Sequence, residues 1–281
     1  MEYYENEPVS LFLKDLKKIK AYNSPKQHVE LFEHPWLGKI LIINGEIQHI
    51  EQYQTLYHES LVHLPAAFIP IVRTVLIIGG GSLFAASEAL KYPSVENVTL
   101  CDHDHSVLEL MAMHYPHARA VLQDKRFHYI ENDARDFICK AQSPYDLVIN
   151  DCFNLAAESN RANISYFNLL SKLCADNGAC VDIIYRHIFD KQVTTDTLAY
   201  LKKESSLALS LVTVPEYPGI LHIETIWGKS PYIAQNCKKP ANLYQCEILV
   251  GNIASPFYFF SPDSLPFYLY LPPYIKDKFN L

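Results

Sequence analysis

Apolar residues follow two different patterns along the chain, and the change falls just before the run TVLIIGGG. Earlier, residues 28–50 form short apolar runs broken by turn residues, with Asn44-Gly45 as a hairpin signal, which predicts two or three short strands. A helical pattern follows over residues 53–68. We therefore predict two domains, which are a small N-terminal β-strand domain over residues 1–60 and a larger domain over residues 61–281.

In the larger domain, continuous apolar runs alternate with helical patterns. The predicted strands lie at 74–81, 97–104, 127–133, 145–151 and 179–185. The predicted helices lie at 82–92, 106–115, 134–141 and 166–178. Uninterrupted apolar strands are typical of strands buried on both faces, and their alternation with helices predicts a parallel sheet with right-handed crossovers. The aromatic and proline-rich residues 256–275 are predicted to cover the sheet edge or the mouth of a site.

Chemically distinctive residues follow the predicted strands, where ligands of parallel sheets bind. Gly79-Gly80-Gly81-Ser82 follows the first strand, and glycines let a ligand approach the backbone and the N–H groups of the next helix. Asp102 ends the second strand, where an acid can accept hydrogen bonds from both ribose hydroxyls. Asp133 and Ala134 follow the third strand, where an adenine edge would lie. The alternative is that the three glycines only make a tight turn, and the loop is not a complete GxGxxG motif, because Phe84 occupies the position of its third glycine.

Charge, cysteines and histidines narrow the class of protein. A formal charge of −7 argues against nucleic-acid binding, and the most apolar stretch is too short and interrupted to span a membrane. The beginning of the sequence has no basic or apolar segment of a secretory signal. Seven cysteines without a CxxC pair, and twelve histidines without HxxxH or HExxH spacing, predict reduced thiols, a cytoplasmic location and no metal. No P-loop is present, which excludes that type of nucleotide hydrolysis.

Several stretches resemble the polyamine aminopropyltransferase (spermidine synthase) family, in the same order and over nearly the whole chain. They are LIINGEIQHIEQYQTLYHESLVHLP, VLIIGGGS, VENVTLCDHD, DKRFHYIENDARDFI, YDLVINDCFNLAA, TVPEYPG and FYLYLPPYI. The resemblance implies a Rossmann-like fold of the class I S-adenosylmethionine-dependent transferases, preceded by a β-domain. It also implies a homodimer or homotetramer and a small-molecule amine or polyamine as substrate.

The resemblance assigns roles to residues that match the family motifs. Decarboxylated S-adenosylmethionine would be the co-substrate, and its aminopropyl group would pass to the amine. The nucleoside would be held by Gln48, Gly79, Gly81, Ser82, Asp102, Asp133 and Ala134, with His58 near the sulfonium side chain. Asp151 would be the general base, since an ammonium must lose a proton before it attacks. Tyr57, Asn154 and Tyr217 would shape the acceptor site.

Three departures from the family pattern affect this site. Ser82 replaces the acid that grips the donor's amine, Asn154-Leu155 replaces the second acid and the proline of a DxxDP motif, and Tyr53-Gln54 replaces an acidic pair. Each lost carboxylate removes a charge-assisted hydrogen bond worth about 1.5–3 kcal/mol. Two alternatives follow. The chain is an S-adenosylmethionine-dependent methyltransferase or aminocarboxypropyl transferase acting on an amine, or it is a non-catalytic nucleoside-binding homologue.

Ordinary structural roles compete with these assignments. Asp151 would cap the following helix, as short acids often do. Tyr57 and Tyr217 would be core aromatics, and His58 and His63 would be core histidines with satisfied hydrogen bonds. Cys152 is expected to be a packing residue, because no histidine is paired with it in a nucleophile motif. Surface positions are expected for His103, His105, His114 and His117.

Overall fold

The computed structural model describes residues 3–4, 11–141, 144–152, 160–185, 191–214, 216, 221–236, 258–260 and 265–280. The strands are β1 Tyr3–Tyr4, β2 Phe12–Leu13, β3 Lys17–Asn23, β4 His28–His34, β5 Gly38–Ile43, β6 Glu46–Ile50, β7 Thr74–Gly79, β8 Asn97–Asp102, β9 Phe127–Glu131, β10 Tyr145–Asp151, β11 Cys174–Tyr185, β12 Ser206–Thr213 and β13 Leu221–Gly228. The helices are α1 Gln54–Ala66, α2 Phe84–Leu90, α3 His105–His114, α4 Pro116–Gln123, α5 Ala134–Lys140, α6 Asn160–Leu173, α7 Lys191–Glu204, α8 Pro231–Asn236, α9 Leu265–Tyr268 and α10 Pro273–Phe279.

A four-stranded antiparallel sheet, in the order β3-β4-β5-β6, precedes the main sheet. Its last hairpin turns at Asn44 and Gly45, which have φ of +52° and +81°. Positive φ at both turn residues suits the right-handed twist of a two-residue hairpin, which explains the Asn-Gly pair. The sheet encloses a core of its own, formed by Leu13, Leu16, Phe32, Ile40, Ile42, Ile47 and Ile50.

The main sheet has seven strands in the order β12-β13-β11-β10-β7-β8-β9. Strands β11, β10, β7, β8 and β9 pair in parallel, whereas β13 pairs antiparallel with both β11 and β12. The predicted fold class, a Rossmann-like parallel-rich sheet behind an N-terminal β-domain, is confirmed. From β7 the chain proceeds outward to β8 and β9, then returns to β10 on the other side. That reversal creates a crevice beyond the carboxyl ends of β7 and β10.

One predicted boundary is wrong. The apolar pattern predicts a helix over residues 166–178, but α6 ends at Leu173 and β11 begins at Cys174. Cys174 pairs with Tyr145 and Ala179 pairs with Leu147, so four residues of β11 lie between these pairs against one of β10. This irregular stretch holds Gly178, where a Cβ would lie 2.7 Å from the carbonyl oxygen of Asp146. Tertiary pairing with β10 therefore overrides the local helical pattern. The pattern also did not predict α7, β12 or β13.

Helix α1 follows the last strand of the first sheet and connects it to the main sheet. It packs against α2 and against β10, β11 and β12 of the main sheet. The proposed domain boundary after residue 60 falls within this helix, and the division into 1–60 and 61–281 stays a prediction. His63 is a buried core histidine, with Nδ1 2.8 Å from the hydroxyl of Tyr92 and Nε2 2.9 Å from Glu88.

A carboxylate on α1 also holds a distant part of the chain. Glu59 is fully buried, and its two oxygens accept the backbone N–H groups of residues 258–260 at 2.7–2.8 Å. Phe260 packs on the ring of His63. Further along, α9 contacts β12 and α10 packs on α7. The described parts of the predicted covering segment therefore lie over α1 and the β12 edge of the sheet.

Candidate active site

A cavity of about 220 Å³ lies in the crevice beyond β7 and β10. Both sheets contribute to it, because the β5–β6 hairpin faces the carboxyl ends of β7, β8 and β10. Nine of the predicted site residues line it, namely Gln48, Tyr57, His58, Gly79, Gly81, Ser82, Asp102, Ala134 and Asp151. Asn154 and Tyr217 lie outside the described residues.

The loop after β7 brings backbone against the acids of the neighbouring strands. Gly79 and Gly80 have φ of +76° and +75°, and a Cβ on Gly79 would lie 2.5 Å from the carbonyl oxygen of Asp151. A Cβ on Gly81 would lie 3.2 Å from Oδ2 of Asp102. The three glycines thus make a tight turn and at the same time allow two acids to approach one loop. Leu83 completes the turn with φ of +66° and is the N-cap residue of α2.

Asp102 ends β8 and is oriented by the backbone that follows it. Its Oδ1 accepts the N–H of Asp104 at 3.0 Å, and Oδ2 faces Gly81 across the cavity. Enclosure by protein raises the pKa of this carboxyl, while the Asp104 hydrogen bond and the nearby His103 oppose the rise. One carboxylate oxygen is therefore held in place by the backbone and the other lies against the glycine loop, while the ribose-binding role of Asp102 stays a prediction.

Asp133 lies beside the cavity, but the structure does not bring it into the lining. Its exposed carboxylate caps α5 and accepts the N–H groups of Arg135 and Asp136 at 2.9 and 3.2 Å. The neighbours Asn132 and Ala134 line the cavity instead. The sequence pattern located this strand end, and the adenine-binding role of Asp133 stays a prediction.

Asp151 ends β10 on the floor of the cavity and is half-buried. The hydroxyl of Tyr57 donates a hydrogen bond to its Oδ1 at 2.7 Å. Desolvation raises the pKa of Asp151 to about 7, the Tyr57 bond lowers it, and the charge of Asp102 raises it further. A carboxyl of this kind is poised to exchange a proton near neutral pH. Tyr57 is buried, as a core aromatic residue would be, but its hydroxyl is hydrogen-bonded to the Asp151 carboxylate.

His58 lines the cavity, and its imidazole ring is neutral. Its Nδ1 lies 2.8 Å from the carbonyl oxygen of Gln54, which can only accept, so the proton is on Nδ1. Burial lowers the pKa of His58 to about 4, and Nε2 therefore carries a lone pair at neutral pH. The hydrogen bond satisfies one nitrogen, as in a core histidine, and leaves the other for the cavity.

Sequence patterns missed a group of aromatic rings behind Ser82. Phe84 stacks on His117 with ring centroids 4.0 Å apart, and it also contacts His58 and His49. His117 donates from Nε2 to the carbonyl oxygen of Ser82 at 3.2 Å. Phe84 at the third glycine position of GxGxxG therefore serves as the base of a ring cluster. The sequence indicated this ring cluster only by the phenylalanine that stands where the motif has glycine.

Among the described residues, the remaining histidines and cysteines form no further catalytic cluster. His103 and His105 are exposed, in agreement with a surface position, whereas His117 is partly enclosed by Phe84. Cys152 is half-buried and lines the cavity beside Asp151. Within the described residues, no three His, Cys, Asp or Glu side chains are placed to hold a metal ion. The helices of that same part include none that is long and apolar enough to cross a membrane.

The sheet order, the glycine loop and the acids at successive strand ends define a Rossmann-like α/β protein with a candidate ligand site at the switch point. The family follows from comparison with known proteins. A family model, the spermine/spermidine synthase domain, matches residues 54–237. The chain belongs to this family.

Individual relatives agree with the family. A polyamine aminopropyltransferase of Lachnospira eligens is 30% identical over 172 residues, which are 61% of this chain and 59% of that protein. The chain thus spans under two thirds of that relative. A polyamine aminopropyltransferase of Buchnera aphidicola is 28% identical over 269 residues, covering 94% of this chain and 92% of the relative. Putrescine N-methyltransferase 2 of Nicotiana tabacum is 29% identical over 274 residues, covering 94% and 76%.

Among solved structures, a spermidine synthase from Thermotoga maritima matches with a TM-score of 0.82 and 22% identity. The match covers 99% of this chain and 93% of that one. It shows that the two chains share their fold over nearly their whole length.

Proposed function

We propose that this chain transfers an aminopropyl group from decarboxylated S-adenosylmethionine to a diamine or polyamine, with Asp151 as the general base. The observation that carries the proposal is the Asp151 carboxyl, which lines the cavity, accepts the Tyr57 hydroxyl and has a pKa of about 7. A base with a pKa near the working pH both takes up and releases a proton readily. The two relatives that are polyamine aminopropyltransferases support the same chemistry.

In the proposed reaction, an ammonium group of the acceptor first gives a proton to Asp151. The lone pair of the resulting amine attacks the methylene carbon bonded to the donor's sulfonium. The carbon–sulfur bond breaks with its electrons on sulfur, so that neutral methylthioadenosine leaves and a secondary ammonium forms. Direct displacement depends on in-line placement of the two substrates, which the rigid strand ends supply.

The remaining predicted residues receive roles by their position. We expect Asp102 and Gln48 to hold the ribose, with Asp133 and Ala134 at the adenine and the Gly79–Ser82 loop along the donor's chain. His58 suits the sulfonium because a ring with a pKa of about 4 carries no competing positive charge at neutral pH. Asn154 and Tyr217, with Tyr57, are expected to border the acceptor.

Methyl transfer from intact S-adenosylmethionine is a second candidate, favoured by one observation. Ser82 lines the cavity where the family pattern has an acid, and a serine does not repel the carboxylate of the intact donor. The relative named putrescine N-methyltransferase 2, which is 29% identical to this chain, supports this candidate. Aminocarboxypropyl transfer would use the same donor.

Calorimetric titration of the purified protein with each donor, followed by product analysis, tests these proposals. Preference for the decarboxylated donor and release of methylthioadenosine with a diamine are expected. Release of S-adenosylhomocysteine would establish methyl transfer instead. Nucleoside binding without any turnover would favour a non-catalytic homologue and overturn the proposed function. By the same family resemblance we expect a homodimer or homotetramer, which sedimentation analysis would test, and the reduced thiols predict a cytoplasmic location.

A further inference from the structure

A row of side chains continues from Asp151 across the main sheet. Ile149 pairs with Val181, so two residues further along each strand Asp151 lies beside Ile183. Ile183 pairs with Glu224 on β13, and Glu224 pairs with Ser210 on β12. Neighbours in one row of a sheet point to the same face. Asp151, Ile183, Glu224 and Ser210 therefore share the face that is covered by α1.

Helix α1 confirms this alignment from the other side. Tyr57 and Ser60 are three residues apart and lie on one face of the helix. Tyr57 bonds to Asp151, and Ser60 lies against the Glu224 carboxyl, where its hydroxyl opposes part of the rise in pKa that burial causes. Burial raises the pKa of the Tyr57 hydroxyl well above its ordinary value, and the negative charges of Asp151, Asp182 and Glu224 raise it further.

Glu224 is buried with no charged partner among the described residues, and its contact with the Ser60 hydroxyl is not a hydrogen bond of normal geometry. Its side chain is fully enclosed, as are those of Ser210 and Ser60. Ser60 donates its proton to the carbonyl oxygen of Tyr57 at 2.8 Å. As a result, neither carboxylate oxygen of Glu224, nor the hydroxyl of Ser210, has a hydrogen-bond partner among the described residues. Buried polar groups without partners are unfavourable, and a bound molecule that completes their hydrogen bonds is one way to offset that cost.

We propose that Glu224 holds the distal ammonium group of the acceptor amine while Asp151 receives the proton of the attacking one. The row places the apolar side chain of Ile183 between two carboxyl groups. A diamine has the matching arrangement, with a methylene chain between two amines. Two strand spacings separate Asp151 from Glu224, which is about 10 Å. This inference rests on the proposed function, and it supplies a second anchor in a chain where Asn154 replaces the usual second acid.

The ionisation of Glu224 is compatible with that role. Burial raises the pKa of its carboxyl to about 8, which is expected of an enclosed acid with no cation beside it. An ammonium group at hydrogen-bond distance favours the charged form, so the carboxylate forms as the amine binds. The aromatic ring of Tyr57 adds a favourable surface for a cation.

A binding experiment with a matched control tests the role of Glu224. The wild-type protein, Glu224→Gln and Asp182→Asn are titrated calorimetrically with 1,4-diaminobutane and with n-butylamine, which lacks the second amine. Asp182 is also buried with a pKa of about 7, but it precedes Ile183 in β11 and therefore points to the opposite face of the sheet. The wild type and Asp182→Asn are expected to prefer the diamine by about tenfold to a hundredfold. Glu224→Gln is expected to lose that preference.

The outcomes separate this inference from the proposed function. An undiminished diamine preference in Glu224→Gln, or an equal loss in Asp182→Asn, would overturn the role of Glu224 even if methylthioadenosine is released. Loss confined to Glu224→Gln, without methylthioadenosine in the wild type, would keep the site and refute aminopropyl transfer. Glu224→Asp, which keeps the charge and shortens the side chain, is expected to show an intermediate preference. It serves in place of the glutamine variant if that protein does not fold.

Discussion

Replacing Asp151 with asparagine is expected to abolish most activity and, at the same time, to stabilise the fold above neutral pH. The substitution removes the base but keeps the shape of the side chain and an oxygen that can accept the Tyr57 hydroxyl. It also removes the need to enclose a negative charge on the floor of the cavity. Function and stability are therefore expected to change in opposite directions at one position.

The magnitudes follow from the pKa of Asp151, which rises from an ordinary 3.8 to about 7 in the folded protein. Because the folded state binds the proton more tightly, wild-type stability falls as pH rises from 3.8 to about 7. The full difference corresponds to at most about 4 kcal/mol, and water in the cavity reduces it. A general base contributes about 10²–10⁴ in rate, or roughly 3–5 kcal/mol of the barrier.

Thermal unfolding at pH 4 and pH 8, with methylthioadenosine release under single-turnover conditions, measures both effects. The variant should melt higher than the wild type at pH 8 and almost equally at pH 4. Asp182→Asn is the control, because it removes another buried acid with a pKa of about 7 and should stabilise without loss of rate. A lower melting temperature of Asp151→Asn at pH 8 would refute the burial argument. An unchanged rate would refute its role as the base.

Three further predictions concern the surroundings of the site. Tyr57→Phe removes the 2.7 Å bond that lowers the pKa of Asp151, so the acidic limb of the kcat/KM profile should move up by about one pH unit. Ser82→Asp restores an acid beside the donor's amine and should shift calorimetric affinity toward the decarboxylated donor by about tenfold. Glu59→Gln removes the charge that accepts the N–H groups of residues 258–260 and should destabilise by about 2 kcal/mol in thermal unfolding.

Local patterns predicted the parts of the fold that local chemistry determines. Asn44-Gly45 marks its hairpin because both residues need positive φ. The strand ends at Asp102 and Asp151 could be located because continuous apolar runs stop there. The end of α6 could not be located, since the chain leaves the helix where Cys174 and, after an irregular stretch, Ala179 pair with β10. That pairing is a tertiary effect which overrides helical propensity.

Residues of the site could be predicted from the sequence only where they lie directly at the end of a single strand. Glu224 stands in the apolar run ILHIETIWG, and nothing local indicates that its row leads to Asp151. The antiparallel direction of β13 and its insertion between β11 and β12 decide that alignment. A charged residue at a buried position of a strand was the available signal, and its meaning depends on the pairing of strands far apart in sequence.

The bond between Glu59 and residues 258–260 also constrains how the protein is completed during translation. The partners are 199–201 positions apart. At ribosomal speeds of about 5–20 residues per second, Glu59 waits roughly 10–40 s for the groups that satisfy it. A nascent chain that stops short of residue 258 already carries Asp102 and Asp151, yet it lacks the contact that secures α1. The helix that orients Tyr57 and His58 is thus synthesised early, but the contact that secures it forms only after residues 258–260 have been synthesised.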